Sequence, residues 1–359
     1  PLFIMADPGK IKSNKVKLLK RQQNVFHPSN PVVSITVWGI KHMMAELNFV
    51  KEQPLLLKDD FKAHSKVSVH NQCFNSSALP NKFTVKEYCP MVFRDLRCRF
   101  RVDSEDFVKS WVTGTVSEME AFGKTTASQY LSEDKQFHMK ILTREEVDLF
   151  LKMLAQYHTF IVERDGITYL PQFLALFRTS VSDKETYLVI SRNLYSPGVP
   201  LNRIYSLKGS RVDRTAKADE AEKDLPVFKD NDFIDRAEKV IMGTHAKEVF
   251  LDAIKNDLEY LSNQKLMGYI LQVAYHKCDE VPPAVDPARD VYAVGKPGPH
   301  GEQVFIGLID VLTRYSAKKV AGHTAKVMKH GTKKAAESTT VNPEQYASRL
   351  LKFISDHVE

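Results

Sequence analysis

Apolar and polar positions alternate over Gln136–Leu142, with Phe137, Met139 and Ile141 on one face and His138, Lys140 and Leu142 on the other. This period of two predicts a half-buried strand. A helix is expected directly after it. Thr143 and Glu146 have capping-box spacing, and Val147, Phe150, Leu151 and Leu154 recur at helical intervals. The β-branched run Val32 to Trp38 predicts a strand, as do Ile161–Thr168, Phe173–Arg178 and Tyr187–Ser191. Pro54, Pro80 and Pro90 break any long helix over residues 51–100, and residues 112–133 read as polar loop around Gly114 and Gly123. Residues 212–224 are charged and predict a surface helix or loop. A long helix is expected over 246–266, with Val249, Phe250, Ala253, Ile254, Leu258 and Leu261 as its apolar stripe. Tyr269–Tyr275 and Val304–Asp310 predict buried strands on either side of a linker, 281–300, that holds five prolines. The last helix starts at Pro343, with Asn342 as its cap. A β-rich first half followed by a mixed second half predicts an α+β chain: a small β-lobe, a larger α+β lobe and a cleft between them.

Composition narrows the function classes. Of 359 residues, 43% are hydrophobic and 26% charged, with a net charge of +7. That is ordinary globular composition with a mild bias toward an anionic partner. No apolar run reaches the ~18 residues of a membrane span. The four cysteines form no C-x-x-C pair, which fits a reducing compartment, cytoplasmic or nuclear, and argues against zinc. The charge is concentrated in two places. In a basic leader, residues 1–24, Lys10, Lys12, Lys15, Lys17, Lys20 and Arg21 face one acid, Asp7. Residues 314–334 contain Arg314, Lys318, Lys319, Lys326, Lys329, Lys333 and Lys334 and no acid. Such a segment suits an anionic membrane surface, nucleic acid or a solvated loop, and no nucleic-acid-binding motif accompanies it. Lys140 suits either a grip on nucleotide phosphates or an edge-strand surface position. Asp310, closing an apolar strand, suits either a magnesium ligand or a helix cap.

Longer blocks carry more specific information. Trp38-Gly-Ile-Lys-His, Asp59-Asp-Phe-Lys-Ala-His-Ser-Lys, Phe83 to Arg94, Leu170-Pro-Gln-Phe-Leu, Leu207-Lys-Gly-Ser, Lys229-Asp-Asn-Asp-Phe-Ile and Val341-Asn-Pro-Glu-Gln-Tyr together resemble the phosphatidylinositol phosphate kinases from about residue 25 onward. Within that family the chain is most similar to the type II branch, the phosphatidylinositol 5-phosphate 4-kinases, in its closing block and in Ala336 before Glu337. The resemblance implies a two-lobed kinase-like fold, with an antiparallel-sheet lobe over 25–190 and a mixed lobe over 191–359 that includes an activation loop at 314–340. It implies transfer of the γ-phosphate of ATP or GTP, with magnesium, to the 4-hydroxyl of phosphatidylinositol 5-phosphate. It further implies homodimers and peripheral docking on an anionic membrane, with no role for nucleic acid. Lys140 then matches the nucleotide lysine, Ser191, Asn193 and Tyr195 the nucleotide side of the hinge, and Asp310 the magnesium aspartate. Lys208 matches the lysine of D-L-K-G-S and joins Asp310 as a catalytic candidate. Lys318, Lys319, Lys326, Lys329, Lys333, Lys334 and Ala336 fall on the lipid-selecting loop.

Three departures fall on the chemistry. The family motif M-D-Y-S-L-L reads Met267-Gly-Tyr-Ile-Leu-Gln here, so Gly268 stands where the catalytic aspartate belongs. Ser206 replaces the aspartate of D-L-K-G-S, and Ser316 that of T-x-Y-D. Residues 128–134 also lack the glycine-bearing turn expected to cover phosphates. A kinase with weakened or lost turnover is therefore expected, or a pseudokinase scaffold that binds nucleotide and phosphoinositide.

Overall fold

The computed structural model describes residues 30–51, 55–71, 75–76, 78–119, 127–277, 286, 289–294, 302–315 and 341–359. The basic leader, most of the Pro-rich linker, Ser316 and Lys318 through Ala336 lie outside the described residues. The chain forms two compact units: Pro1–Ala121 with Thr126–Thr143 and Phe173–Ser191, and Phe122–Thr125 with Arg144–Gln172 and Arg192–Glu359.

The first unit contains α1 (Pro31–Leu47), β1 (His64–Val69), β2 (Phe83–Tyr88), α2 (Pro90–Arg99), α3 (Ser104–Val112), β3 (Ser117–Met119), β4 (Gln129–Leu131), β5 (Phe137–Leu142), β6 (Phe173–Val181) and β7 (Lys184–Arg192). Among the described residues its seven strands form one antiparallel sheet in the order β1-β2-β6-β7-β5-β4-β3. The run Val32 to Trp38 belongs to α1 and is not a strand. Asn30 caps it by accepting from the Val33 amide at 3.3 Å, and Pro31 opens the first turn. Burial on several sides overrides the strand preference of the β-branched run: Val33, Ile35, Val37, Ile40, Met43 and Met44 are all buried. Gly39 permits this packing, since a Cβ there would come 2.6 Å from Val85 Cγ1 on β2. The expected loop at 112–133 contains β3 and β4, strands of three residues each, too short for a sequence period to reveal. On β5, Phe137, Met139 and Leu142 are buried while Ile141 is half-buried, so the strand breaks its alternation at its end.

The second unit contains α4 (Arg144–Glu163), β8 (Arg203–Leu207), a short 3-10 turn at Ala218–Glu222, β9 (Val227–Phe228), α5 (Asp230–Asp235), α6 (Thr244–Asn263), β10 (Ile270–Lys277), β11 (Ala293–Val294), β12 (Glu302–Ile309) and α7 (Pro343–Ser355). Among the described residues its five strands are ordered β11-β12-β10-β8-β9, with β8 and β9 parallel and the other pairs antiparallel. Residues 161–163 complete α4, because buried Ile161 extends the helical series from Leu154 and Tyr157; Ile161–Thr168 is not a strand. On α6 the expected stripe is buried except for Val249, which is 50% exposed. Val273 and Ile306 are fully buried on β10 and β12, as the apolar runs predict. Asn342 caps α7 by accepting from the Gln345 amide at 2.7 Å.

Asp257 of α6 is fully buried and holds the chain ahead of β6. It accepts from the Thr168 hydroxyl and the Tyr169 amide, each at 2.6 Å. Tyr292 donates to the Leu170 carbonyl at 2.8 Å and accepts from the Gln172 amide at 3.1 Å. Burial pushes the Asp257 carboxyl up to about 7, against hydrogen bonds that favour the carboxylate. The native chain then binds more protons here than the unfolded chain does. Stability is full below the ordinary aspartate value of 3.8 and declines as pH rises toward about 7. We expect Asp257→Asn to flatten the fall in melting temperature over that interval. The variant isolates this group from Glu87, whose burial also raises its carboxyl to about 7. An unchanged pH profile would contradict the assignment.

Candidate functional site

Three strand ends build the site in the second unit. Leu207 pairs with Leu271 across β8 and β10, and Ile270 pairs with Ile309 across β10 and β12. Antiparallel register therefore brings Lys208, just after β8, Gly268, just before β10, and Asp310, just after β12, to one end of the sheet. Lys208, Gly268 and Asp310 are each half-buried. Gly268 has φ +80 and Asp310 φ +56, both in the left-handed region. The next segment returns alongside. The Met267 amide donates to the Thr313 carbonyl and the Tyr315 amide to the Lys265 carbonyl, each at 2.9 Å, pairing Leu266 with Arg314. Tyr315, the last described residue on this segment, thus lies beside Lys265.

A clamp and a brace hold this end. The Asp230 carboxylate, fully buried at the start of α5, accepts from the Lys208 amide at 2.8 Å, the Ser210 amide at 3.3 Å and Arg214 Nε at 2.6 Å. Arg214 Nη2 donates in turn to the Ser206 carbonyl. Asn231 Nδ2 donates to the Arg211 carbonyl and to Thr215 Oγ1, and Asp232 accepts from the Ala216 amide. The brace is α7. Tyr346 donates to the Tyr269 carbonyl at 2.6 Å. Gly209, at φ +63, lies so near α7 that a Cβ would stand 2.8 Å from the Leu350 Cα and N. Ser206 faces Gln272 across the β8–β10 ladder, and Gln272 is buried.

The other nucleotide candidates divide between the units. Lys140 lies on β5 opposite Gln129 and is half-buried. Ser191 closes the first unit on β7, opposite Phe173, and is buried. In the second unit the Tyr195 amide donates to Asn193 Oδ1 at 3.4 Å. The Tyr195 ring packs against Ile204, Ala274 and Phe305. Its hydroxyl is buried without a hydrogen-bond partner among the described residues, and burial raises the phenol above its ordinary value. Its side chain is thus partly buried against this cluster. Sequence reading missed Asp230, Arg214 and Tyr346 as parts of the site. Two of them sit in quoted blocks, but their contacts reach about 20 to 80 residues along the chain, beyond any local periodicity.

Known proteins are similar to this chain in sequence. The family described as "Phosphatidylinositol-4-phosphate 5-Kinase" matches residues 112–290 and 295–357. Phosphatidylinositol 5-phosphate 4-kinase type-2 alpha from Gallus gallus is 38% identical over 404 residues, covering 98% of this chain and 99% of that protein. The type-2 alpha protein of Homo sapiens is 38% identical over 403 residues, with the same coverage. The type-2 beta protein of Rattus norvegicus is 37% identical over 381 residues, covering 92% of this chain and 91% of that protein.

Gly209 and Gly198, both at positive φ, separate backbone strain from close packing. A Cβ at Gly198, φ +77, would meet nothing within 4 Å. Gly198→Ala should cost about 1 kcal/mol in left-handed strain. Gly209→Ala adds overlap with the α7 backbone and should cost about 3 kcal/mol in all. Chemical denaturation of both variants checks this. Equal losses would show that the turn does not rest on α7.

Proposed function

Because this chain belongs to the phosphatidylinositol-4-phosphate 5-kinase family, a family of lipid kinases, we propose that it acts on phosphatidylinositol 5-phosphate, as a 4-kinase with weakened turnover. The observation that carries this reading is Gly268: just before β10, at the end of the sheet that also carries Lys208 and Asp310, the family's aspartate is replaced by a residue with no side chain. The reaction moves the γ-phosphate of ATP or GTP onto the inositol 4-hydroxyl, which must lose its proton as the new P–O bond forms. An aspartate would orient that hydroxyl and accept the proton. General-base catalysis contributes roughly 10²–10⁴-fold, and glycine can do neither task.

Binding functions are better preserved. Lys140 supplies a cation for nucleotide phosphates, and Asn193 lies on the segment expected to meet the base. Among the described residues no group of three or more His, Cys, Asp or Glu side chains could form a metal cage. That fits magnesium, which is usually bound by one or two carboxylates plus substrate phosphates. Asp310 would hold the ion, which when bound neutralises phosphate charge. Lys208 would hold phosphoryl oxygens at the same end of the sheet. The basic residues of 314–340 would meet the headgroup and the anionic membrane, each worth about 1 kcal/mol near the surface. No helix among the described residues is long and apolar enough to cross a membrane, so the docking is peripheral in this reading, on cytoplasmic or nuclear membranes and as a homodimer. The further carboxylate losses at Ser206 and Ser316 favour a second reading, a pseudokinase scaffold that holds nucleotide and phosphoinositide without turnover.

Radiolabel transfer from ATP to phosphatidylinositol 5-phosphate vesicles tests the proposal. Gly268→Asp should raise the rate by roughly 10²-fold or more. Left-handed backbone at this position should cost that variant about 1 kcal/mol, read by melting. Equal, measurable rates for the two proteins would overturn the role given to position 268. Nucleotide binding with no transfer by either protein would favour the scaffold.

A further inference from the structure

We propose that Asp230 is a positioning residue for Lys208, an inference that rests on the phosphate-binding role given to Lys208 above. The block Lys229–Asp232 grips the loop that follows β8 one residue at a time. Asp230 takes the amides of Lys208 and Ser210 and the Arg214 side chain. Asn231 takes the Arg211 carbonyl and Thr215, and Asp232 takes the Ala216 amide. The grip nearest Lys208 uses a fully buried carboxylate, with relative exposures of 12% and 0% for the Arg214 and Asp230 side chains.

Burying an ion pair costs several kcal/mol of desolvation, and a neutral side chain of similar volume often serves stability as well or better. Here the charge does something an apolar residue could not. Two of its three hydrogen bonds go to backbone amides on either side of Gly209. Through Arg214 it also reaches the carbonyl of Ser206, just ahead of the turn. The turn is thus tied on both flanks to one carboxylate and set against α7 from the other side at Leu350. Positioning of this kind matters in phosphoryl transfer, where a displacement of about 1 Å can cost roughly 10²-fold.

The test compares Lys208→Ala, Asp230→Asn, their double variant and Asn231→Ala in the full chain. ATP affinity, affinity for phosphatidylinositol 5-phosphate vesicles and transfer rate are measured for each. Asp230→Asn keeps an oxygen for the amides and loses the ion pair. Whichever readouts Lys208→Ala lowers, Asp230→Asn should lower to within about threefold of it, and the double variant should go no lower. Asn231→Ala loosens the same clamp away from Lys208 and should stay within about twofold of the parent. If Asp230→Asn fails to fold, Arg214→Lys takes its place, keeping a cation beside the carboxylate while breaking the tie to Ser206. Unchanged readouts in Asp230→Asn beside a clear Lys208→Ala effect would overturn the proposal, as would equal losses in Asn231→Ala. No effect of Lys208→Ala on any readout would remove the role of Lys208 itself, and the positioning role with it.

Discussion

The site of the second unit depends on the antiparallel register of β10 with β8 and β12. Pairing Leu271 with Leu207 and Ile270 with Ile309 determines which residues emerge together where the ladder stops. A slip of one residue would turn every side chain of β10 to the opposite face, and the strand is buried enough to forbid that. The same pairing delivers the backbone to α7, where Tyr346 holds the Tyr269 carbonyl and Leu350 seats Gly209. One core arrangement thus locates Lys208, Gly268 and Asp310 without any of them contributing to the core.

Against that scaffold the losses are selective. Lys208, Asp310 and Lys140 keep their charge, while positions 206, 268 and 316 have lost theirs relative to the family motifs. The ladder is intact at Ser206, which pairs with Gln272 and whose carbonyl receives Arg214. Gly268 occupies left-handed backbone that suits glycine. Phosphate affinity needs cations and amides held in place. Proton removal needs a carboxylate within reach of the hydroxyl. Under the proposed function, a chain that preserves the first and lacks the second would separate binding from transfer.

Much of this was legible in the sequence, for identifiable reasons. The long helix over 246–266, the strands from Tyr269 and Val304 and the capped helix at Pro343 carry strong period or cap signals, and all appear. The run Val32 to Trp38 misled because β-branched residues favour strands only when burial does not decide otherwise; the Asn30-Pro31 start was the better signal. Ile161 opens a β-like run in the sequence, although its spacing from Tyr157 continues α4. Motif blocks located Lys208, Gly268 and Asp310, and the ladder brings these three to one end of the sheet. Asp230 could not be recognised as the support of Lys208, since nothing local distinguishes a buried aspartate from its solvated neighbours. Tyr195 follows from block position alone, and nothing local in the sequence signals that its ring packs against Ile204, Ala274 and Phe305.

The most direct test is single-turnover phosphoryl transfer by the unaltered chain, run beside the Gallus gallus type-2 alpha protein, with nucleotide occupancy of both measured by titration. A filled nucleotide site with transfer slower by roughly 10²-fold or more is the predicted result. Transfer at the relative's rate from an equally filled site would contradict the separation of binding from chemistry.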